Sequence, residues 1–149
     1  MQSRIDGAKV APGGYKAMLG LETYLHESGV ELGLLHLIKL RASQINGCAY
    51  CIDMHSRDLL KGGLAVEKLV LVPAWREAGS LFDSRERAAL AWAETVTRVA
   101  DTAIPDGEFE SASAAFSEKE LADLTIAIGL MNAYNRLAIG FRNPPKAAT

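Results

Sequence analysis

Apolar residues in this chain recur three and four positions apart, and no stretch alternates apolar and polar as a half-buried strand would. That spacing gathers the apolar positions on one side of an α-helix, so the pattern predicts an all-α protein. A first helix is expected over residues 15–28, with Met18, Leu21, Tyr24 and Leu25 on one stripe and Gly29 as its stop. Before it, Ala11-Pro12-Gly13-Gly14 reads as a break, which makes residues 1–14 an extended N-terminal arm. A second helix is expected over residues 31–45, carrying Leu32, Leu34, Leu35, Leu37, Ile38 and Leu40. A third starts near Cys48 and ends at Lys61, before Gly62-Gly63, and a short helix over residues 65–72 stops at Pro73.

The later helices announce their starts. Asp83 with Glu86 three residues on forms an acidic capping box ahead of an alanine-rich amphipathic run to about Ala100. A short helix is expected from Pro105, and Ser117 with Glu120 makes a second capping box before the last helix, residues 121–139. That helix is apolar almost all round over residues 124–131, the mark of a helix buried centrally or against another subunit. Its Asn132, Asn135 and Arg136 then need hydrogen-bond partners, and a polar network locking helices together is the expectation. The tail from Asn143-Pro144-Pro145 onward is expected to fray. No internal repeat or linker divides the sequence, so residues 1–149 read as one domain.

Composition narrows the function. Of 149 residues 49% are hydrophobic and 23% charged, ordinary for a soluble globular domain large enough to build a core without disulfides. A net charge of −2 gives no electrostatic reason for nucleic acid or an anionic membrane surface as partner. No apolar run approaches the roughly 20 residues of a membrane-spanning helix. The charged N-terminus lacks the apolar stretch of a signal peptide, so a cytoplasmic location is expected. No glycine-rich phosphate loop follows a strand, and no cofactor or resident metal is expected.

The chemistry concentrates in Cys48-Ala49-Tyr50-Cys51-Ile52-Asp53-Met54-His55, which holds both cysteines of the chain. On a helix, positions 48, 51 and 55 share one face. Asn46-Gly47 breaks the chain and puts Cys48 in the first turn of the new helix, where free N–H groups and the positive dipole end favour a thiolate. In a reducing compartment a CxxC pair points to redox or metal chemistry. Zinc held by Cys48, Cys51, His55 and His36 is one alternative, although no second CxxC or HxxxH is present. Haem attachment is excluded by Ile52, which stands where CxxCH needs histidine, and the helix read over residues 34–45 argues against a thioredoxin-type domain.

The stretch Leu40-Arg41-Ala42-Ser43-Gln44-Ile45-Asn46-Gly47-Cys48-Ala49-Tyr50-Cys51, followed by His55, resembles the AhpD-like alkylhydroperoxidases of the carboxymuconolactone decarboxylase superfamily. The similarity continues through Arg85-Glu86-Arg87-Ala88-Ala89-Leu90-Ala91-Trp92 and Asn132-Ala133-Tyr134-Asn135-Arg136-Leu137. It implies an AhpD-like helical domain that assembles as a homo-oligomer, a hexamer or alternatively a trimer. It also implies an antioxidant peroxidase with a redox-active disulfide, formed by Cys48 and Cys51, and a relay histidine at His55. Two positions depart from the family pattern: His36 replaces a relay glutamate twelve residues before Cys48, and Tyr50 replaces a histidine between the cysteines. Histidine at 36 can pass a proton but brings no fixed negative charge.

The helix dipole favours Cys48 as the attacking thiolate, whereas adjacency to His55 favours Cys51. The resemblance gives the reactive role to the second cysteine. The expected site is therefore Cys51 as nucleophile, Cys48 as resolving thiol and proton donor, His55 as base and His36 as outer relay group. The substrate is a hydroperoxide, and the reductant a dithiol such as a lipoyl group or a thioredoxin-like protein. Competing readings are a thiol-disulfide reductase or redox sensor, and a non-enzymatic oligomeric zinc- or partner-binding protein. Trp75 and Trp92 are expected in a core or interface, and Asp53 in a structural role.

Overall fold

The computed structural model describes residues 2–148, which form helices and turns with no β-strand among them. Five longer helices build the domain: α2 (Pro12–Glu27), α3 (Leu32–Asn46), α4 (Ala49–Lys61), α6 (Ser84–Thr97) and α9 (Glu118–Phe141). Shorter ones connect them: α1 (Gly7–Val10), α5 (Val66–Val70), α7 (Val99–Thr102) and α8 (Asp106–Ala115). Three 3₁₀ turns lie at Val72–Glu77, Gly79–Leu81 and Lys146–Ala148. Both anticipated capping boxes form, Asp83 with Glu86 and Ser117 with Glu120.

The third helix is the axis of the fold, packing against α4, α6 and α9. Its side chains feed different clusters because a helix surrounded on most sides is apolar on most sides. Leu34, Leu35 and Ile38 pack with Trp92 of α6 and Leu124, Ala127 and Ile128 of α9. Leu37 and Leu40 pack with Leu59, Val72, Trp75, Phe82 and Leu90. Both tryptophans are core residues with their indole N–H satisfied, Trp75 by Glu94 and Trp92 by Thr125, each at 2.9 Å. A third cluster contains Ala42, Cys48, Cys51, Met131 and Ala138, and so places the cysteines inside the protein.

The asparagines of α9 form the anticipated network. Asn46 donates to Asn132 at 3.0 Å and to Asn135 at 2.9 Å, and Asn135 donates to Ser43 at 3.1 Å, which joins α9 to α3.

Both ends depart from the expectation. The extended arm is confined to residues 2–6: Asp6 caps α1 by accepting the Lys9 N–H, and α2 begins at Pro12, not at 15. Proline at the first helical position is pre-set for helical φ and loses no needed donor, so the Pro-Gly-Gly segment starts the helix where it seemed to precede it. The C-terminal segment does not fray within the described residues. Asn143 N–H donates to Ala138 O at 2.9 Å, and Ala147 N–H donates to Asp53 at 3.2 Å on α4. The structural role expected of Asp53 includes this contact together with an ion pair to Arg57.

Candidate active site

A single tight turn sets the site. Gly47 adopts φ 72°, ψ 32° at the end of α3, a left-handed conformation that glycine enters without the clash a Cβ brings. Gly47 N–H donates to Gln44 O and Cys48 N–H to Ser43 O, at 3.3 and 3.0 Å, which closes α3 and redirects the chain. Cys48 thereby becomes the N-cap of α4, and its Sγ accepts the Cys51 N–H at 3.4 Å. A sulfur occupies the place where a serine or aspartate oxygen usually caps a helix.

Both cysteines are free thiols, 1% exposed, with their sulfurs 2.7 Å apart. The S–H of Cys51 is the main influence that lowers Cys48 from the ordinary 9.0 to about 7. Burial opposes it, and the Cys51 N–H, the Asn135 side chain and the Tyr50 N–H assist it. Cys51 is pushed up, first because its S–H is the donor in that pair and then by burial. Of the two sulfurs Cys48 is therefore the one that ionises first, on either side of about pH 7, while Cys51 keeps its proton.

The predicted histidines meet, although they come from different helices. His36 Nδ1 of α3 lies 3.3 Å from His55 Nδ1 of α4, and His55 Nε2 lies 3.1 Å from the Met131 sulfur. A thioether only accepts, so Nε2 of His55 carries the proton. In a neutral ring Nδ1 is then the acceptor, and His36 supplies the proton between the rings. Burial, followed by the positive charge of Lys39 and by His36, holds His55 down at about 3. Burial also lowers His36, with Asp58 opposing. Both imidazoles are thus neutral at physiological pH. No hydrogen bond joins His55 to either sulfur among the described residues.

Three further residues complete the surroundings without having been picked out from the sequence. Lys39, 1% exposed, donates to Glu22 of α2 at 2.5 Å. Asp58 Oδ2 lies 3.8 Å from His36 Nδ1 and 4.0 Å from His55 Nδ1. Two of the three carried a signal, because Lys39 follows His36, and Asp58 follows His55, by three residues on the same helix face. Glu22 carried none. The four-ligand zinc alternative does not assemble: among the described residues the potential ligand atoms that cluster are those of His36, His55 and Asp58, without the sulfurs.

A cavity of about 800 Å³ opens over the pair, with Cys51, His36, His55, Met54, Tyr134 and Leu137 in its wall. Cys48 does not reach that wall. The Tyr50 side chain borders the cavity, and among the described residues no side-chain hydrogen bond joins it to the cysteines or histidines. The arrangement presents one thiol to an incoming small molecule, sets the more acidic sulfur beside it and places two neutral imidazoles nearby.

Known proteins share this frame. The sequence model of the carboxymuconolactone decarboxylase family matches residues 12–95. The uncharacterized protein YdfG of Bacillus subtilis is 34% identical over 143 residues, covering 96% of this chain and 97% of YdfG. A crystal structure of a protein of unknown function from Agrobacterium tumefaciens, provisionally described as the antioxidant defence protein AhpD, superposes with a TM-score of 0.92. It is 44% identical, over 97% of this chain and 98% of its own. The debrominase Bmp8 shares the fold, with a TM-score of 0.82 at 20% identity over 92% of this chain and 73% of its own.

Proposed function

This chain belongs to the carboxymuconolactone decarboxylase family, and on that premise we propose that it is a thiol-dependent hydroperoxide reductase of the AhpD-like type. One observation carries the reading: Cys51 stands in the cavity wall, while Cys48, the more acidic sulfur, lies beside it and out of the cavity. The thiol that meets substrate thus has a thiolate neighbour able to take its proton.

In the proposed cycle Cys51 passes its proton to Cys48 and attacks the terminal oxygen of ROOH. The O–O bond breaks, Cys51 becomes a sulfenic acid, and the departing alkoxide takes the proton from Cys48 to leave as ROH. The Cys48 thiolate then attacks the Cys51 sulfur. An S–S bond forms, and hydroxide leaves and is protonated to water through the His55–His36 pair. Two electrons pass from the thiols to the peroxide, and an external dithiol restores them.

The environment favours small organic hydroperoxides, since Met54, Tyr134 and Leu137 give the wall a carbon surface beside the sulfur. It also supports a slender dithiol, such as a lipoyl group, over a thioredoxin-like protein, because both sulfurs are 1% exposed and are approached through a cavity. The same burial argues against general disulfide exchange with proteins as the main activity.

The test is a single turnover. Reduced, metal-free protein receives one equivalent of cumene hydroperoxide, and free thiols and intact mass are recorded. The expected result is rapid loss of both thiols with a mass decrease of two hydrogens. Survival of both thiols, at a rate no faster than a free small thiol, overturns the peroxidase reading.

A further inference from the structure

We propose that His36, His55 and Asp58 form a binding site for a divalent cation of the zinc class, with a fourth coordination position open to the cavity. The three ligand atoms surround a common point: His36 Nδ1 and His55 Nδ1 are 3.3 Å apart, and Asp58 Oδ2 is 3.8 Å from the first and 4.0 Å from the second. Bonds of about 2.0–2.2 Å in a tetrahedron place ligand atoms roughly 3.3–3.6 Å apart. Neighbouring ligands around an octahedral ion such as magnesium stand closer, about 2.9 Å. The observed spacing fits the tetrahedral case with a small inward movement of the Asp58 side chain, which is partly exposed and has room to make it.

The contacts around these atoms agree. At 3.8 and 4.0 Å Asp58 Oδ2 stands near both rings but too far to hydrogen-bond either. His55 turns its Nε2–H toward the Met131 sulfur, which fixes the tautomer and presents the Nδ1 lone pair to the other two ligands. The nearby charge that opposes a cation, the Lys39 ammonium, is paired with Glu22. The ring of His26 stands 6.3 Å from that of His36, outside the ligand cluster. His36 and His55 both line the 800 Å³ cavity, which supplies an entry path and room for water or an anion in the fourth position. Zinc needs the Nδ1 lone pairs of both rings, so its binding displaces the proton between them and leaves His36 protonated on Nε2 instead.

Zinc chloride titrated calorimetrically into the full chain carrying Cys48→Ser and Cys51→Ser tests the site without thiolates. One zinc per chain is expected, with affinity falling on the order of 100-fold when Asp58→Asn is added, the upper end of losses seen even for outer-shell changes. Cobalt(II) in the same protein is expected to give the intense visible absorption of a tetrahedral site. Zinc uptake unaltered by Asp58→Asn, or none at all, overturns the proposal. Should the double serine variant fail to fold, X-ray absorption of zinc-loaded wild-type protein decides. Nitrogen and oxygen neighbours alone support the site, and a sulfur shell at about 2.3 Å overturns it. None of these readouts involves peroxide, so the proposal stands or falls apart from the peroxidase reading.

Discussion

The S–H of Cys51 is the largest single influence on the acidity of Cys48, and that dependence is measurable. In the wild type the thiolate population grows as pH rises through about 7. The rate of the single turnover is therefore expected to climb between roughly pH 6 and 8 and then level off. Cys51→Ala removes the leading donor, so the midpoint of the thiolate ultraviolet absorbance is expected to move from about 7 up toward 9.0. An unmoved midpoint would assign the acidity to the backbone N–H groups at the helix start. The sequence disclosed the stripe of Cys48, Cys51 and His55 because all three sit on one helix, three and four residues apart. It did not disclose that His55 turns toward His36 and Met131 instead of the sulfurs, since those partners come from α3 and α9. It also left Glu22 unmarked, a carboxylate whose partner Lys39 is seventeen residues away.

At the level of elements, the α3–α4 junction is the part on which the site depends. A Cβ at Gly47 would meet no atom within 4 Å, so the cost of adding one is conformational. Gly47→Ala is expected to cost about 1–2 kcal/mol, read by urea denaturation, because φ there is 72°. Gly47→Asn is expected to cost less, since asparagine enters the left-handed region more readily. Equal losses for both would point to a steric cause instead. The capping boxes and the Gly47 break were legible because caps are local chemistry, written within four residues. The start of α2 was not, because the same Pro-Gly-Gly segment serves as a breaker or as a first turn, and only packing decides. Gly7 shows that packing: a Cβ there would lie 2.2 Å from the Tyr15 hydroxyl oxygen and 3.0 Å from the Phe141 ring.

Across the whole molecule the apolar surface is not fully covered. Leu19 and Leu21 of α2 are 60% and 44% exposed, and Phe109 of α8 is 52% exposed. We expect the chain to be a homo-oligomer in solution, six copies or alternatively three, as light scattering coupled to gel filtration would report. A lone chain at micromolar concentration would remove that expectation. The all-α class was legible from periodicity alone, whereas the number of copies depends on how surfaces meet and left no periodic trace.

The cavity is also a whole-molecule product, since the segments flanking the helical body complete its wall. Ser3 and Ile5 enter from one end, held where Arg4 N–H donates to Phe141 O at 2.9 Å. Asn143 and Pro144 enter from the other. These segments contribute nothing to the buried apolar clusters that stabilise the fold. Evolution can therefore retune which molecules are admitted by rewriting a few side chains beside α1 and α9 without reaching into the buried apolar clusters or the cysteine turn. Relatives that keep the same reactive turn are free to diverge in diet.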